Sequence, residues 1–183
     1  MCEHHFVRNC APTLAGIKTG SLFPCPFEDR SRLLGSIRSI NRRLGKKGLR
    51  CIPLRFSGSK ALIYVYRPSK LRGDLQDTTA KSILNQHGYC PENADGCLVR
   101  LARKLREKGE FPHEIGLFLG YPAEDVQGFM ENKACGCKCC GCWKVYGDVD
   151  KAERKFAQYK KCTRIYCRLH EKGKDIDRLT VAC

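Results

Sequence analysis

The sequence predicts an α+β fold: a single compact domain with a small β-hairpin-containing sheet, several amphipathic helices and a cysteine-rich C-terminal part. Three observations predict it: a basic amphipathic helix followed by two β-rich runs, a helical middle, and five cysteines within eight residues. A chain of 183 residues can bury a full hydrophobic core. We expect one domain over residues 1–183, with a basic N-terminal α/β part at 1–90 and a mainly helical part at 91–183 that contains a cysteine-rich loop at 135–142.

The segment at residues 7–23 mixes small residues with one lysine, which predicts a shaped loop or a short helix. Glycines on both sides let backbone N–H groups turn toward one point, so Lys18 with the hydroxyls of Thr19 and Ser21 could form an anion-binding cradle. The GxxxxGK[ST] spacing of a P-loop is absent, and an ordinary turn packed on the core is the alternative. For Cys10 we expect a buried structural thiol, with a catalytic nucleophile as the alternative.

A helix capped by Asp29 is predicted to run to about Lys47, because apolar residues recur there at helical spacing. Two β-rich runs follow at residues 49–56 and 60–66, joined by Ser-Gly-Ser, and this pattern predicts a hairpin. Pro53 lacks a backbone N–H, so we expect the first strand to lie at a sheet edge.

Residues 28–72 are strongly basic, with thirteen Lys and Arg against two acidic residues. Such a concentration of charge attracts nucleic acid, nucleotide phosphates or an acidic protein without selecting among them. No nucleic-acid-binding motif is present, so the alternative is a solvated basic face beside tyrosines of the core. The side chains that could form a charged, base-stacking surface are Arg50, Arg55, Lys60, Tyr64, Tyr66 and Arg67.

The middle of the chain is predicted to be helical. Residues 68–87 favour two helices broken at Gly73, and residues 93–108 favour one amphipathic helix that ends at Gly109. Pro112 and Pro122 each suit the first turn of a short helix. We expect this region to be structural.

His113 and Glu114 are adjacent and could supply a general acid/base pair or one metal ligand. They are not part of an HExxH motif, because Leu117 stands where the second histidine would be. A single histidine at a helix start is commonly a capping or surface residue, which is the alternative.

The C-terminal part combines a cysteine cluster with a helical pattern. Residues 143–146 predict a core strand, and residues 149–161 predict a helix capped by Asp148. Residues 162–169 fit a strand or a helical continuation, and we favour the helix. On a helix, Cys162 and Cys167 point in different directions, because five residues rotate the chain by about 140° beyond a full turn.

The cysteine cluster lies beside the only tryptophan. Thiolates are the soft ligands that zinc, copper(I) and iron–sulfur clusters prefer, and they are also nucleophiles. The predicted metal ligands are Cys139, Cys142, Cys162 and Cys167, with Cys137 or His170 as alternative fourth ligands of a zinc site. The spacing matches no standard zinc finger or ferredoxin, so redox thiols or reduced bystander cysteines are the alternatives.

Four runs of the chain carry a resemblance: residues 11–18, 61–71, 111–122 and 143–148. They resemble an uncharacterised domain-of-unknown-function family of about this length, seen mainly in anaerobic Firmicutes. The resemblance implies a cytoplasmic, single-domain protein of anaerobes and assigns no activity, cofactor or catalytic residue. The family pattern is matched by Lys138, Cys139, Gly141, Trp143, Lys144 and Tyr146, whereas Cys135, Cys137, Cys140 and Cys142 depart from it.

The chain starts without a basic, apolar signal segment and contains no apolar run long enough for a membrane helix, so we expect a cytoplasmic protein with reduced cysteines. A secreted disulfide scaffold is the alternative. The first functional hypothesis is a metal- or thiol-dependent binding or redox accessory protein. The second is a nucleic-acid or phosphate-ligand binding module that uses residues 28–72. The third is an enzyme on a small anionic substrate, with Lys18, His113 or Glu114, and Cys10 or Cys139 in its site.

Overall fold

The computed structural model describes residues 2–107, 110–133 and 135–182. It shows a mixed α+β fold. The chain divides into two compact units: unit 1 comprises residues 1–69 and 159–183, and unit 2 comprises residues 70–158. The prediction of one domain over the whole chain stays a prediction.

Unit 1 contains a three-stranded antiparallel sheet in the order β1-β3-β2. The strands are β1 (Gly20–Pro26), β2 (Arg50–Ser57) and β3 (Lys60–Tyr66). The predicted hairpin of β2 and β3 is confirmed, and Pro53 lies on an edge strand beside a shift in the pairing register. The loop or short helix predicted at residues 7–23 is wrong for β1, which pairs with β3 along its whole length.

Unit 1 also contains the helices α1 (Glu3–Leu14), α2 (Arg30–Leu44) and α9 (Ile176–Leu179). A short 3₁₀ turn at Gly45–Lys47 directly follows α2. Asp29 caps α2 as predicted, since its carboxylate accepts a hydrogen bond from the Ser31 backbone N–H at 2.8 Å. These helices and the sheet share one hydrophobic core. Three cysteines are buried in that core: Cys10, Cys25 and Cys51.

Arg67 is fully buried in unit 1, although the sequence suggests a surface cation. Its Nε donates to the Thr13 carbonyl at 2.7 Å, and its Nη2 donates to the carbonyls of Leu14 at 2.6 Å and Val181 at 2.8 Å. Nη1 donates to the Lys47 carbonyl at 3.1 Å. One guanidinium therefore satisfies carbonyls at the end of α1, after α2 and near the C-terminus.

We expect Arg67→Met to lower the free energy of unfolding by about 4 kcal/mol, because two buried and two part-buried carbonyls lose a charged donor together. Urea unfolding followed by far-ultraviolet circular dichroism measures this loss. Arg38→Met is the control, since Arg38 is exposed on α2 and should change stability by no more than about 0.5 kcal/mol. Equal unfolding midpoints for the two variants would contradict the role given to Arg67.

Unit 2 is mainly helical, as predicted. Its helices before the cysteine region are α3 (Pro68–Asp74, which begins in unit 1), α4 (Thr78–Gln86), α5 (Ala94–Lys104), α6 (Ile115–Phe118) and α7 (Ala123–Asn132). The two predicted helices are present, but the break between them lies after Asp74 and not at Gly73. Gly73 lies inside α3, and Asp77 caps α4. The predicted end at Gly109 lies outside the described residues.

The cysteine region contains β4 (Cys139–Cys140) and β5 (Lys144–Val145), followed by the helix α8 (Val149–Glu171). The favoured helical continuation at 162–169 is confirmed, since α8 runs through it without a break. The first turns of α8 belong to unit 2 and its later turns to unit 1. Within the described part of the chain, no helix is both long and apolar enough to cross a membrane.

Candidate functional site

The cysteine hairpin, which we define as residues 135–147, is the candidate site. Strands β4 and β5 are antiparallel, with Cys139 opposite Val145 and Cys140 opposite Lys144. The Gly141 N–H donates to the Trp143 carbonyl at 3.0 Å and closes the turn between the strands. Five cysteines are thus placed along one short hairpin and the segment that precedes it.

Asp125 on α7 anchors the hairpin to unit 2. Its carboxylate is buried, and it accepts a hydrogen bond from the Trp143 indole Nε1 at 2.7 Å. The other oxygen accepts from the backbone N–H groups of Tyr146 and Gly147, each at 2.8 Å. Hydrogen bonds to a carboxylate are stronger than those between neutral groups, so this one side chain fixes both the turn and the end of the hairpin.

Aromatic packing completes the anchor. The Trp143 ring stacks on Tyr121 with ring centroids 4.8 Å apart and meets the edge of Phe156 at 4.5 Å. Gly141 is required by this packing, because a Cβ there would lie 2.3 Å from the Phe156 ring. Trp143 and Val145 are buried, and the core strand predicted at 143–146 is shorter than expected, since strand β5 covers only Lys144–Val145.

The hairpin thiols lie at the surface of unit 2. Cys135, Cys140 and Cys142 are exposed, and Cys137 and Cys139 are half-buried. The Cys139 Sγ lies 3.9 Å from the Glu153 Oε1 on α8. Every cysteine in the described part of the chain is a free thiol.

Two tyrosines lie close to these thiols. Burial raises the pKa of Tyr121 to about 12, and the nearby Cys142 adds to that rise. The Tyr146 hydroxyl is shielded from solvent and has no hydrogen-bond partner among the described residues. Burial, Cys137 and Cys135, in that order, raise the pKa of Tyr146. Both phenols therefore stay protonated beside the thiol cluster at neutral pH.

The thiols of unit 1 have different surroundings. Burial raises the pKa of Cys162 to about 11. Burial, followed by the charge of Glu171, raises the pKa of Cys167, which packs against the hydrophobic core. These two thiols are therefore poorer nucleophiles and ligands than free cysteine, because only the thiolate reacts and binds metal.

The predicted metal ligands are divided between the units. Cys139 and Cys142 lie in unit 2, and Cys162, Cys167 and His170 lie in unit 1. Across residues 2–107, 110–133 and 135–182, no three Cys, His, Asp or Glu side chains are grouped so that they could hold a metal ion. Binding of zinc or an iron–sulfur cluster by Cys139, Cys142, Cys162 and Cys167 stays a prediction.

His113 and Glu114 have separate environments. Glu114 is buried, and its Oε1 accepts hydrogen bonds from the Lys104 Nζ at 2.6 Å and the Tyr89 hydroxyl at 2.9 Å. His113 is exposed, and its ring meets the edge of Phe129 at 4.9 Å. Glu114 is thus an ion-pair partner in the core of unit 2, and proton transfer by either residue stays a prediction.

The residues of the predicted anion cradle lie at the start of β1. Thr19 and Ser21 are buried, and the Ser21 hydroxyl is hydrogen-bonded to the Thr13 hydroxyl at 2.9 Å. The Lys18 Nζ lies 5.8 Å from the centre of the Tyr159 ring. Cys10 is buried as expected, and burial is the main reason that its pKa is raised well above the ordinary thiol value. Anion binding by Lys18, Thr19 and Ser21 stays a prediction.

The basic segment retains exposed charge but not a stacking surface. Tyr64 and Tyr66 are buried and stack on each other, with centroids 4.8 Å apart. Arg67 is buried as well. On α2, Arg32, Arg38 and Arg42 are exposed. This segment therefore matches the alternative interpretation, a basic face beside tyrosines of the core. Binding of an anionic partner stays a prediction.

Residues 6–180 match the family described as "Protein of unknown function (DUF3793)". The chain belongs to the DUF3793 family. The resemblance to a domain-of-unknown-function family is thereby confirmed over nearly the whole sequence. No curated protein and no solved structure matches this DUF3793 chain.

Asp125 was not among the predicted site residues. The sequence places it in the first turn of a helix after Pro122, where an acidic residue is common because it favours the helix dipole. Nothing local reveals that its partners lie 18 to 22 residues later. One feature of the sequence does point to this contact. A buried indole N–H needs a hydrogen-bond acceptor, and an acidic residue lies in the motif before the single tryptophan.

We expect Asp125→Asn to destabilise unit 2 of the DUF3793 chain by about 2 kcal/mol, because the amide NH₂ would face the Trp143 indole N–H. Urea unfolding followed by far-ultraviolet circular dichroism measures this change, since that signal does not depend on the single tryptophan. In a Trp143→Phe background the same substitution should cost clearly less, since the indole donor is gone. Equal costs in both backgrounds would show that the Asp125–Trp143 bond is not the important contact.

The Glu114 site predicts a defined pH dependence. Burial alone would raise the pKa of Glu114, but the hydrogen bonds from Lys104, the backbone and Tyr89 outweigh it and hold the pKa below its usual value. A carboxylate with a lowered pKa stabilises the fold above its unfolded pKa of about 4.3, and this stabilisation is lost as the pH falls through the folded pKa.

We therefore expect Glu114→Gln to cost about 2 kcal/mol at neutral pH and progressively less below about pH 4. Unfolding free energies of the wild type and the variant, measured across this pH range, test it. Glu107→Gln is the control because Glu107 is exposed. A cost for Glu114→Gln that grows toward acid pH would contradict the assigned direction.

Proposed function

We propose that this protein is a thiol-dependent accessory protein whose working element is the cysteine hairpin, and that the hairpin reversibly binds a thiophilic metal ion such as Zn²⁺. The observation that supports this most directly is the exposure of several neighbouring thiols on a hairpin that is itself firmly held. Soft thiolates are the protein ligands that zinc and copper(I) prefer.

The contacts that anchor the hairpin involve no metal ion. Asp125 binds three of its N–H groups, and Trp143 is packed between Tyr121 and Phe156. Structural zinc sites, in contrast, supply most of the folding energy of the loops that carry them. An ion bound here would therefore be exchangeable, as suits metal handling, and the thiols would rotate or shift to converge on it.

Burial determines which thiols of the chain are available to bind a metal ion. The thiols of Cys10, Cys51 and Cys162 have raised pKa values because they are desolvated, with Cys51 raised to about 12. A soft metal ion needs deprotonated, accessible sulfur. In the hairpin, the half-buried Cys139 and the exposed Cys142 form a C-x-x-C pair across the turn.

We expect anaerobically purified, reduced protein to retain Zn²⁺ after desalting, and Cys139→Ser/Cys142→Ser to weaken zinc binding by more than about 10-fold. Elemental analysis gives the stoichiometry, and competition with a chromogenic chelator gives the affinity. The matched control is Cys2→Ser/Cys90→Ser, because both thiols are exposed outside the hairpin. Zinc binding that is absent from the wild type, or that survives in the hairpin variant and falls in the control, would overturn the metal assignment.

The exposure of the hairpin thiols also supports a second chemistry, thiol–disulfide exchange. A dithiol exchanges with a low-molecular-weight disulfide RSSR to give one protein disulfide and two RSH, without any other oxidant. Treatment with oxidised glutathione followed by peptide mass spectrometry locates the bond. A Cys139–Cys142 disulfide in protein that binds no zinc would favour a redox role over metal handling.

A further inference from the structure

A cavity of about 280 Å³ lies beside the cysteine hairpin within unit 2. Its walls are mainly apolar and are formed by Ile115, Tyr121, Val126, Phe129 and Trp143. Small-molecule sites are concave and apolar with a few polar groups, and they begin at about 300 Å³. This cavity lies just below that lower limit, so it would hold only a small ligand of one or two rings.

The rings that line this cavity are held in fixed orientations. Tyr121 is stacked on Trp143 with an interplanar angle of 29°, and Phe129 meets the His113 ring at 69°. At Gly116 the wall is tightly fitted, because a Cβ there would lie 2.7 Å from Val126. A planar ligand could pack against these rings without rearranging them, since aromatic pairs favour stacked and edge-to-face contacts.

Two nitrogen-bearing side chains of the lining favour a negatively charged group on the ligand. Lys144 and His113 contribute to the lining, and His113 is exposed. Asp125 also lies there, but its oxygens accept hydrogen bonds from Trp143, Tyr146 and Gly147. The lysine and histidine nitrogens are hydrogen-bond donors, and the lysine carries a full positive charge. These groups favour an acidic substituent on the ligand.

We propose that this cavity binds a small planar aromatic carboxylate, with its ring against Tyr121, Phe129 and Trp143 and its acid group toward Lys144 and His113. This site goes beyond the proposed metal or thiol chemistry of the hairpin and does not depend on it. The two share residues only at Cys140, Gly141, Trp143 and Lys144, which belong to both the hairpin and the lining.

The test uses the full-length protein and 2-naphthoate as the probe, with uncharged 2-naphthamide as its matched control. Trp143 is the only tryptophan, so its indole N–H gives a single side-chain signal in a two-dimensional ¹H–¹⁵N spectrum. We expect 2-naphthoate to shift this signal in a saturable titration. We expect 2-naphthamide to bind about 10-fold more weakly, because it cannot form a charged hydrogen bond with Lys144.

Two variants locate the site. Lys144→Gln and His113→Gln should each weaken 2-naphthoate binding and bring it closer to that of 2-naphthamide. Lys151→Gln is the control, since Lys151 is an exposed lysine of unit 2 that does not line this cavity. A native Trp143 signal in each variant shows that the fold is intact, so lost binding can be assigned to the lost side chain.

The outcomes separate this proposal from the proposed function. Cys139→Ser/Cys142→Ser, expected to lose zinc, should still bind 2-naphthoate, because neither residue lines the cavity. No shift of the Trp143 signal with either probe would overturn the site. Equal binding of 2-naphthoate and 2-naphthamide, or an equal loss in Lys151→Gln and Lys144→Gln, would overturn the assignment of an anionic ligand.

Discussion

The candidate site depends on one buried carboxylate. Asp125 holds the Trp143 indole and two backbone N–H groups at the end of the hairpin, and all three contacts are 2.7–2.8 Å long. A buried charge is tolerated only when it is fully hydrogen-bonded, and a hairpin of two-residue strands is only marginally stable alone. The hairpin and the carboxylate therefore stabilise each other.

The same principle operates twice more. Arg67 satisfies four carbonyls inside unit 1, and Glu114 accepts hydrogen bonds from Lys104 and Tyr89 inside unit 2. Each is a charged side chain placed where apolar residues would be expected. A strongly basic chain thus uses some of its charge to connect segments that are distant in sequence, and only the remainder faces solvent.

The parts of the fold predicted from the sequence are those determined by local patterns. Helix α2 was predicted from apolar spacing and the Asp29 cap, and the β2–β3 hairpin from two β-rich runs around a short turn. Strand β1 was missed, although Phe23 and Cys25 alternate with the more exposed Pro24 and Pro26, because the small residues and glycines at and before its start suggested a loop. An edge strand tolerates such prolines, since one side needs no N–H donors.

The site was predicted only in part, for a related reason. The cysteine density identified the hairpin, but Arg67, Glu114 and Asp125 depend on tertiary partners that no local spacing reveals. Arg67 was placed with the surface cations because arginine is usually exposed. Its burial follows from carbonyls at three distant points of unit 1, so only the folded chain can show it.

The pleat of the hairpin places the proposed metal-binding thiols and the proposed ligand cavity relative to each other. Successive strand residues point to opposite faces, so Cys140 and Lys144 share one face while Cys139 and Val145 share the other. The first pair lines the aromatic cavity, whereas Val145 is buried and Cys139 lies near Glu153. Trp143 is also a wall of the cavity, so it is the residue at which the two proposed sites adjoin.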